Sequence, residues 1–357
     1  MRGVTVNGGA QSGGGRPITR RGLLKGTLAG AALAAAAPLI GSIASPATAR
    51  AAFNSDGFDF YVDSATMGPV KSRVFRAADG NTNRVLYALD GMRARDDLNG
   101  WEIETEVARE LTKQNINVVM PVGGQSSFYT DWNAASTFLG SSAGTDAGRT
   151  NSGSSQVLAG GPGKSYAYKW ETFLSKELPT GLRDRLGFSS TRNGVVGLSM
   201  SGSSALMLAA FYPGQFCYAG SFSGALNMSD SVMRNAVRVA MLDAGGFNVE
   251  SMAKTTSQWQ HLDAYSFAPK LKANGTRMWI SAGSGLPTSS DALNMTTLQG
   301  MGIEAVALMG TRAFQSRYAG LGGSNVTYDF PGVGVHNWKN WEAQLYKMLP
   351  DLSANIG

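Results

Sequence analysis

Val195-Val196-Gly197-Leu198-Ser199-Met200-Ser201-Gly202-Ser203-Ser204 is the run on which the reading of this chain turns. A short β-branched, apolar stretch ends in Gly-x-Ser-x-Ser-Gly, and an alanine- and leucine-rich stretch follows from Ala205 to Phe211. That order spells strand, tight turn, helix. At such a turn the central serine is held in a strained conformation, with its hydroxyl above the sheet and small neighbours letting the backbone fold sharply. Ser201 stands where the strict Gly-x-Ser-x-Gly pattern has glycine. Serine is small, so the steric demand is nearly met. An ordinary Gly/Ser turn would look the same, so the rest of the chain must supply partners for Ser199.

A serine hydroxyl is a weak nucleophile and needs a base within hydrogen-bond reach, itself oriented by an acid. The chain has two histidines, His261 and His336. His261 lies in a polar stretch with no strand before it and reads as a surface residue. His336 ends the glycine-rich loop Phe330-Pro331-Gly332-Val333-Gly334-Val335, after the last expected strand and before the last helix. In the order serine, acid, histidine, the base belongs there. Asp243, Asp291, Glu304 and Asp329 are candidates for the acid. Asp291 is attractive by position, since it follows a strand end, whereas Glu304 opens an expected helix, where a simple N-terminal charge role would serve equally. Spacing does not decide. The oxyanion hole needs two backbone N–H donors. Met200, next after the serine, supplies one, and the loop Asp90-Gly91-Met92-Arg93 supplies the other.

Around this centre the chain alternates strands and helices. Residues 59–74 read as strand, turn, strand. Arg84-Val85-Leu86-Tyr87-Ala88-Leu89 and Asn117-Val118-Val119-Met120-Pro121-Val122 are continuous apolar runs that fit strands buried on both faces. Residues 277–283 and 325–330 complete the strands. Helical spacing covers 101–114, 168–182, 303–314, with Gly310 as a weak point, and 338–349. The pattern predicts one α/β domain over 52–357, built on a mostly parallel sheet with helices on both faces. Residues 133–165, rich in Gly, Ser, Thr and Ala, read as a long surface loop.

The apolar fraction of 43% and charged fraction of 16% fit a globular chain with a sizeable core. The formal charge of +6 is not informative. Arg2, Arg16, Arg20, Arg21, Lys25 and Arg50 carry it, residues 1–51 hold no acid, and the remainder balances to zero. There is no electrostatic case for nucleic acid or an anionic membrane surface. Residues 1–51 instead read as an export leader. Thr19-Arg20-Arg21-Gly22-Leu23-Leu24-Lys25 is a twin-arginine signal, an alanine-rich apolar run follows, and small residues offer cleavage after Ala49 or Ala51. Beyond it nothing resembles a membrane span. The single cysteine, Cys217, lies in an apolar context that favours a buried, inert thiol. No metal-ligand cluster and no phosphate-binding glycine loop appears, so no cofactor is expected.

Several runs together resemble the antigen 85 mycolyltransferases of mycolic-acid bacteria: Leu86-Tyr87-Ala88-Leu89-Asp90-Gly91-Met92-Arg93-Ala94, Asp96-Asp97-Leu98-Asn99-Gly100-Trp101, Gly123-Gly124-Gln125-Ser126-Ser127-Phe128-Tyr129, Tyr168-Lys169-Trp170-Glu171-Thr172-Phe173-Leu174, the serine elbow, and His336-Asn337-Trp338. The resemblance covers roughly 60–349. It implies the α/β-hydrolase fold, with Ser199 as nucleophile and His336 as base. It places the acid at Glu304 rather than Asp291, the oxyanion donors at Met92 and Met200, and sugar contacts at Asp90, Arg93 and Trp338. It also implies an exported cell-envelope enzyme that moves a mycolyl group from trehalose monomycolate to another trehalose monomycolate or to arabinogalactan. The chain departs from the family in three places. Residues 133–165, without cysteine, replace a short disulfide loop; Glu104 stands for a sugar-binding asparagine; Ala313 stands for a lysine near the acid. Two other functions fit the same residues: a secreted carboxylesterase with this triad, and a wall-associated protein that binds glycolipid or matrix without turnover.

Overall fold

The computed structural model describes residues 54–136 and 167–357, together with Gly3. The expected leader over 1–51 and residues 137–165 of the expected loop lie outside the described residues. Eight strands form one sheet in the order β1-β2-β4-β3-β5-β6-β7-β8. They are β1 Phe58–Ser64, β2 Gly68–Phe75, β3 Val85–Leu89, β4 Asn117–Pro121, β5 Asn193–Leu198, β6 Phe216–Phe222, β7 Arg277–Ser281 and β8 Val326–Asp329. β1 and β2 pair antiparallel, β2 meets β4 antiparallel, and the other pairings are parallel. This is the mostly parallel α/β-hydrolase arrangement that the alternating pattern predicts.

The uninterrupted apolar runs are explained by burial on both faces. Every residue of β3, β4 and β5 is buried. Val85, Tyr87, Leu89 and Val195 join one core layer with the helix Met200–Phe211. Leu86, Ala88, Val196 and Leu198 join the opposite layer with Trp341, Leu345, Met348 and Leu352 of the helix Trp338–Asn355. A period of two along each strand therefore divides its side chains between the layers.

Several elements differ from expectation. The helix expected over 101–114 is two, Gly100–Ile103 and Val107–Lys113. The one over 168–182 starts at Trp170, passes through a π-helical turn Phe173–Glu177 and ends at Leu186, where Gly187 adopts a left-handed conformation. The one over 303–314 extends to Met295–Gly320. Gly310 is its contact point rather than its weakness, because a Cβ there would lie 3.1 Å from Met233 Cε. The last helix runs through Pro350 to Asn355, drawn on by buried Leu352. β6 and the helices Ser231–Asp243, Val249–Met252, Thr256–Leu262 and Ala264–Asn274 had no counterpart in the reading of the sequence.

Register sets the site. Leu198, Phe222, Ser281 and Asp329 pair in one lateral row. The residues that follow them therefore emerge side by side at the carboxyl edge of the parallel strands. β3 and β5 are also neighbours, although β4 lies between them in sequence. The crevice at that reversal of strand order is where open α/β sheets bind ligands.

Candidate active site

Ser199 follows β5 with φ 52° and ψ −117°, a strained conformation for a residue with a side chain. The sequence permits it locally. A Cβ on Gly197 would lie 2.2 Å from the Ser201 carbonyl oxygen, so only glycine fits. Ser201 does more than satisfy the steric limit of the turn. Its hydroxyl accepts the Leu198 N–H at 2.9 Å and lies 3.1 Å from the Leu89 carbonyl as donor, pinning the elbow to β3.

His336 Nε2 is 2.8 Å from Ser199 Oγ, and His336 Nδ1 is 2.8 Å from Glu304 Oε2. Glu304 Oε1 accepts the Ser223 hydroxyl at 2.7 Å and the Gly283 N–H at 2.5 Å. A carboxylate can only accept, so Nδ1 carries the proton and Nε2 presents its lone pair to the serine hydroxyl. Glu304 is fully buried, on the inner face of the helix Met295–Gly320. Gly300 of that helix accepts the His336 N–H at 3.3 Å, which seats the histidine loop on the same helix as its acid.

The other candidate acids are engaged elsewhere. Asp291 accepts from Thr288, and Asp329 from Gln344 and Lys347. Asp243 pairs with Arg93. His261 is not a simple surface histidine: its Nε2 lies 2.9 Å from Glu171 Oε2, and its ring centroid is 4.2 Å from that of Phe211. Burial would push the Glu171 carboxyl up. The hydrogen bond and charge of His261, with Tyr212 and Thr130, override this and hold it below the usual range.

Met200 opens the helix after Ser199, where first-turn N–H groups have no intrahelical partner. Met92 follows β3, next to β5 in the sheet, and its carbonyl accepts the Ser126 N–H at 3.0 Å. Arg93 is half-buried in its ion pair with Asp243, at the end of the helix Ser231–Asp243. Trp338 stands edge-on to Trp101 and to Trp341, with centroids 5.5 and 5.3 Å apart. Asp90, expected to face sugar, is only 4% exposed. Its oxygens accept the Gly91 and Gly100 N–H groups, each at 2.7 Å. Burial pushes its carboxyl up to about 6, against the pull of those two donors. Glu104 is exposed and close enough to Asp90 to add to that rise. Cys217 is half-buried and its thiol is pushed up by burial, which makes it a poor thiolate.

Two participants were not read from the sequence. Ser223, with φ 52°, links Glu304 to Trp341, whose indole N–H reaches its hydroxyl at 2.9 Å. Trp341 also stands edge-on to the His336 ring, 4.9 Å between centroids. Their only sequence signal was position: Ser223 follows an unrecognised strand, and Trp341 lies one turn into the last helix.

The Esterase family model matches residues 65–352. The chain is 39% identical over 336 residues to the diacylglycerol acyltransferase/mycolyltransferase Ag85B of Mycobacterium avium, covering 92% of this chain and 93% of the relative. It is 40% identical over 275 residues to Ag85C of the same species, covering 76% and 71%. It is 38% identical over 344 residues to Ag85A of Mycobacterium ulcerans, covering 95% and 93%. Among solved structures, Mycobacterium tuberculosis MPT51 superposes with a TM-score of 0.69 at 28% identity, over 85% of this chain and all of that one. An S-formylglutathione hydrolase from Agrobacterium tumefaciens shares the fold at a TM-score of 0.54 and 14% identity, over 86% of this chain and 98% of that one. With relatives this similar along nearly its whole length, the chain belongs to the Esterase family and, within it, to the antigen 85 mycolyltransferases.

Proposed function

We propose that this protein is a mycolyltransferase that carries the acyl group on Ser199. The observation that carries the reading is the unbroken hydrogen-bonded relay from Glu304 through His336 to Ser199, in a chain of the antigen 85 family. His336 Nε2 takes the Ser199 proton as Oγ attacks the mycolyl ester carbonyl of trehalose monomycolate. The negative charge that develops on the carbonyl oxygen is met by the N–H groups of Met92 and Met200. Glu304 stabilises the imidazolium and holds the ring. The imidazolium then protonates the departing trehalose oxygen and leaves an acyl-serine. A hydroxyl of a second sugar, on another trehalose monomycolate or on arabinogalactan, enters past Arg93 and Trp338, gives its proton to His336 and takes the acyl group, and the imidazolium returns that proton to the departing Ser199 Oγ. The residue types at 1–51 support export by the twin-arginine route to the cell envelope, where such acceptors lie. Among the described residues no helix is long and apolar enough to cross a membrane.

The test is incubation of the purified protein with trehalose monomycolate, with products followed by mass spectrometry. Trehalose dimycolate with free trehalose is the expected result, and Ser199→Ala should form neither it nor an acyl-enzyme. Free mycolic acid alone would make the protein an esterase. No product, with Ser199 unlabelled by a fluorophosphonate, would make it a binding protein.

A further inference from the structure

We propose that the buried loop over residues 123–129 is the brace of the oxyanion hole: one strained segment holds both turns that carry the donors Met92 and Met200. The inference rests on the acyl-transfer reading of the site. The run Gly123-Gly124-Gln125-Ser126-Ser127-Phe128-Tyr129 follows β4, and the relay of Ser199, His336 and Glu304 makes no use of it. Its backbone is costly. Two turns follow one another, with Ser127 N–H meeting the Gly124 carbonyl at 3.0 Å and Thr130 N–H meeting the Ser127 carbonyl at 3.3 Å. Ser126, the third residue of the first turn, has φ 55°. Phe128 and Tyr129, the central pair of the second, have φ 50° and 45°. Turn positions with positive φ are normally filled by glycine, asparagine or aspartate, and bulky residues there are strained. Strain of this kind persists only where the surroundings over-determine it, and it collects at functional sites.

The surroundings here are the two donor turns. Ser126 N–H is given to the Met92 carbonyl at 3.0 Å, one peptide beyond the first donor. Phe128 N–H meets the Met200 sulfur at 3.2 Å, and the Phe128 carbonyl accepts the Ser204 hydroxyl at 2.7 Å, one turn along the same helix. The loop therefore spans from the turn after β3 to the first turn of the helix Met200–Phe211. It is itself anchored from outside. The Tyr168 hydroxyl donates to the Gln125 carbonyl at 3.0 Å, and the Trp132 indole N–H to the Ser127 carbonyl at 2.9 Å. Tyr129 packs edge-on to Trp170, with centroids 5.2 Å apart. Every residue from Gln125 to Tyr129 is at most 1% exposed, so water does not compete for these bonds. Ser126 shows the cost most plainly. Its hydroxyl is buried and has no hydrogen-bond partner among the described residues. Glycine would adopt the same φ freely and strand no polar atom. The Cβ at 126 instead narrows the backbone to the conformation that presents its N–H to Met92. Ser126 and the Met200 side chain are accordingly positioning residues, acting through the two donors.

The experiment follows acylation of the full chain by p-nitrophenyl butyrate, beside thermal melts, in Ser126→Gly and Met200→Leu. Ser126→Gly relieves the strain and frees the loop without removing a hydrogen bond. It should lower the maximal acylation rate about tenfold, short of the roughly 10²- to 10³-fold lost with an oxyanion donor outright, while Tm holds or rises. Met200→Leu keeps the donor N–H and the bulk but takes the acceptor from Phe128 N–H, and it should lower the same rate about tenfold. In both variants KM for the ester should stay within about twofold, because the charge that the hole meets develops only in the transition state. The pH midpoint of acylation should not move, because the Glu304–His336 relay is untouched. A rate within about twofold of wild type in either variant would overturn the proposal. So would a loss in Ser126→Gly that comes with a lower Tm or a displaced pH midpoint, the marks of general disorder in the fold or the relay. Ser126→Gly decides alone if Met200→Leu fails to fold. Ser199→Ala is the control for the underlying reading. Acylation that survives there removes the acyl-serine itself, whereas a Ser126→Gly that matches an active wild type removes only the brace.

Discussion

Ser223 reaches Glu304 and Trp341 at once: its hydroxyl donates to Glu304 Oε1 at 2.7 Å while accepting the Trp341 indole N–H at 2.9 Å. One hydroxyl thus orients the acid and anchors the ring that flanks His336. Ser223→Ala should leave a buried carboxylate oxygen and a buried indole N–H each one partner short, costing about 1–3 kcal/mol of stability. Activity should fall roughly tenfold through kcat, with KM for the acyl donor steady. Denaturant melts together with acylation kinetics check both, and an unchanged kcat would show that Gly283 N–H alone orients Glu304.

Glu304→Gln and Asp291→Asn separate the acid by geometry from the acid by position. The glutamine disturbs the His336 tautomer, a change that costs on the order of 10⁴ in kcat in a comparable triad. Asp291 is half-buried and accepts from Thr288 and, at 3.4 Å, from Asn337, with no hydrogen bond to His336 or Ser199, so its asparagine variant should stay within about threefold of wild type. Steady-state kinetics on the two variants decide it.

The strained Ser199 backbone predicts a trade of stability for activity. At φ 52° and ψ −117° a side chain costs about 1–3 kcal/mol, whereas glycine adopts positive φ freely. Ser199 makes no helix-capping hydrogen bond that glycine would forfeit. Ser199→Gly should therefore raise Tm by about 2–4 °C while abolishing acyl transfer, whereas Ser199→Ala, which keeps the Cβ and loses the hydrogen bond to His336, should not raise it. Calorimetry on both variants measures the strain.

Asp90 predicts a pH dependence of stability with an unusual sign. Its carboxyl titrates near 6 in the fold against 3.8 as its ordinary value. Between those values the native state binds more protons than the unfolded one, so the Asp90 contribution falls as pH rises through that window. The change is about 3 kcal/mol at most. Asp90→Asn should remove this decline, so urea melts from pH 3.5 to 7 should show a smaller loss in the variant.

The sequence disclosed what repeats along it. Buried parallel strands announce themselves as Leu86–Leu89 or Val118–Val119 do, and loops that follow strand ends are the natural place for site residues, which is why Ser199, His336 and the Met92 turn stood out as candidates. Glu304 was not decidable by spacing, because it is held on the inner face of a 26-residue helix whose sequence shows no clean apolar face. β6 escaped because Phe216-Cys217-Tyr218-Ala219-Gly220-Ser221-Phe222 contains small and polar residues that burial between β5 and β7 requires. Gly220 is among them, since a Cβ there would lie 2.7 Å from Val196 Cγ1. The inward turn of Asp90 was also invisible, because it depends on Gly100 arriving from another segment.

The two ends of the chain around residues 137–166 are closed by a stem of their own. Asp131 pairs with Lys169 as an isolated bridge and takes the N–H and hydroxyl of Thr172 at 3.1 and 2.6 Å, while Trp132 N–H meets the Tyr168 carbonyl at 2.8 Å. Such a stem ties the two ends of the segment together at its base, so a change in the number of residues between them costs only the slowly growing entropy of loop closure. Lineages can lengthen, trim or exchange what lies beyond it without disturbing the register of β5, so new surface can be acquired by a scaffold whose chemistry stays fixed.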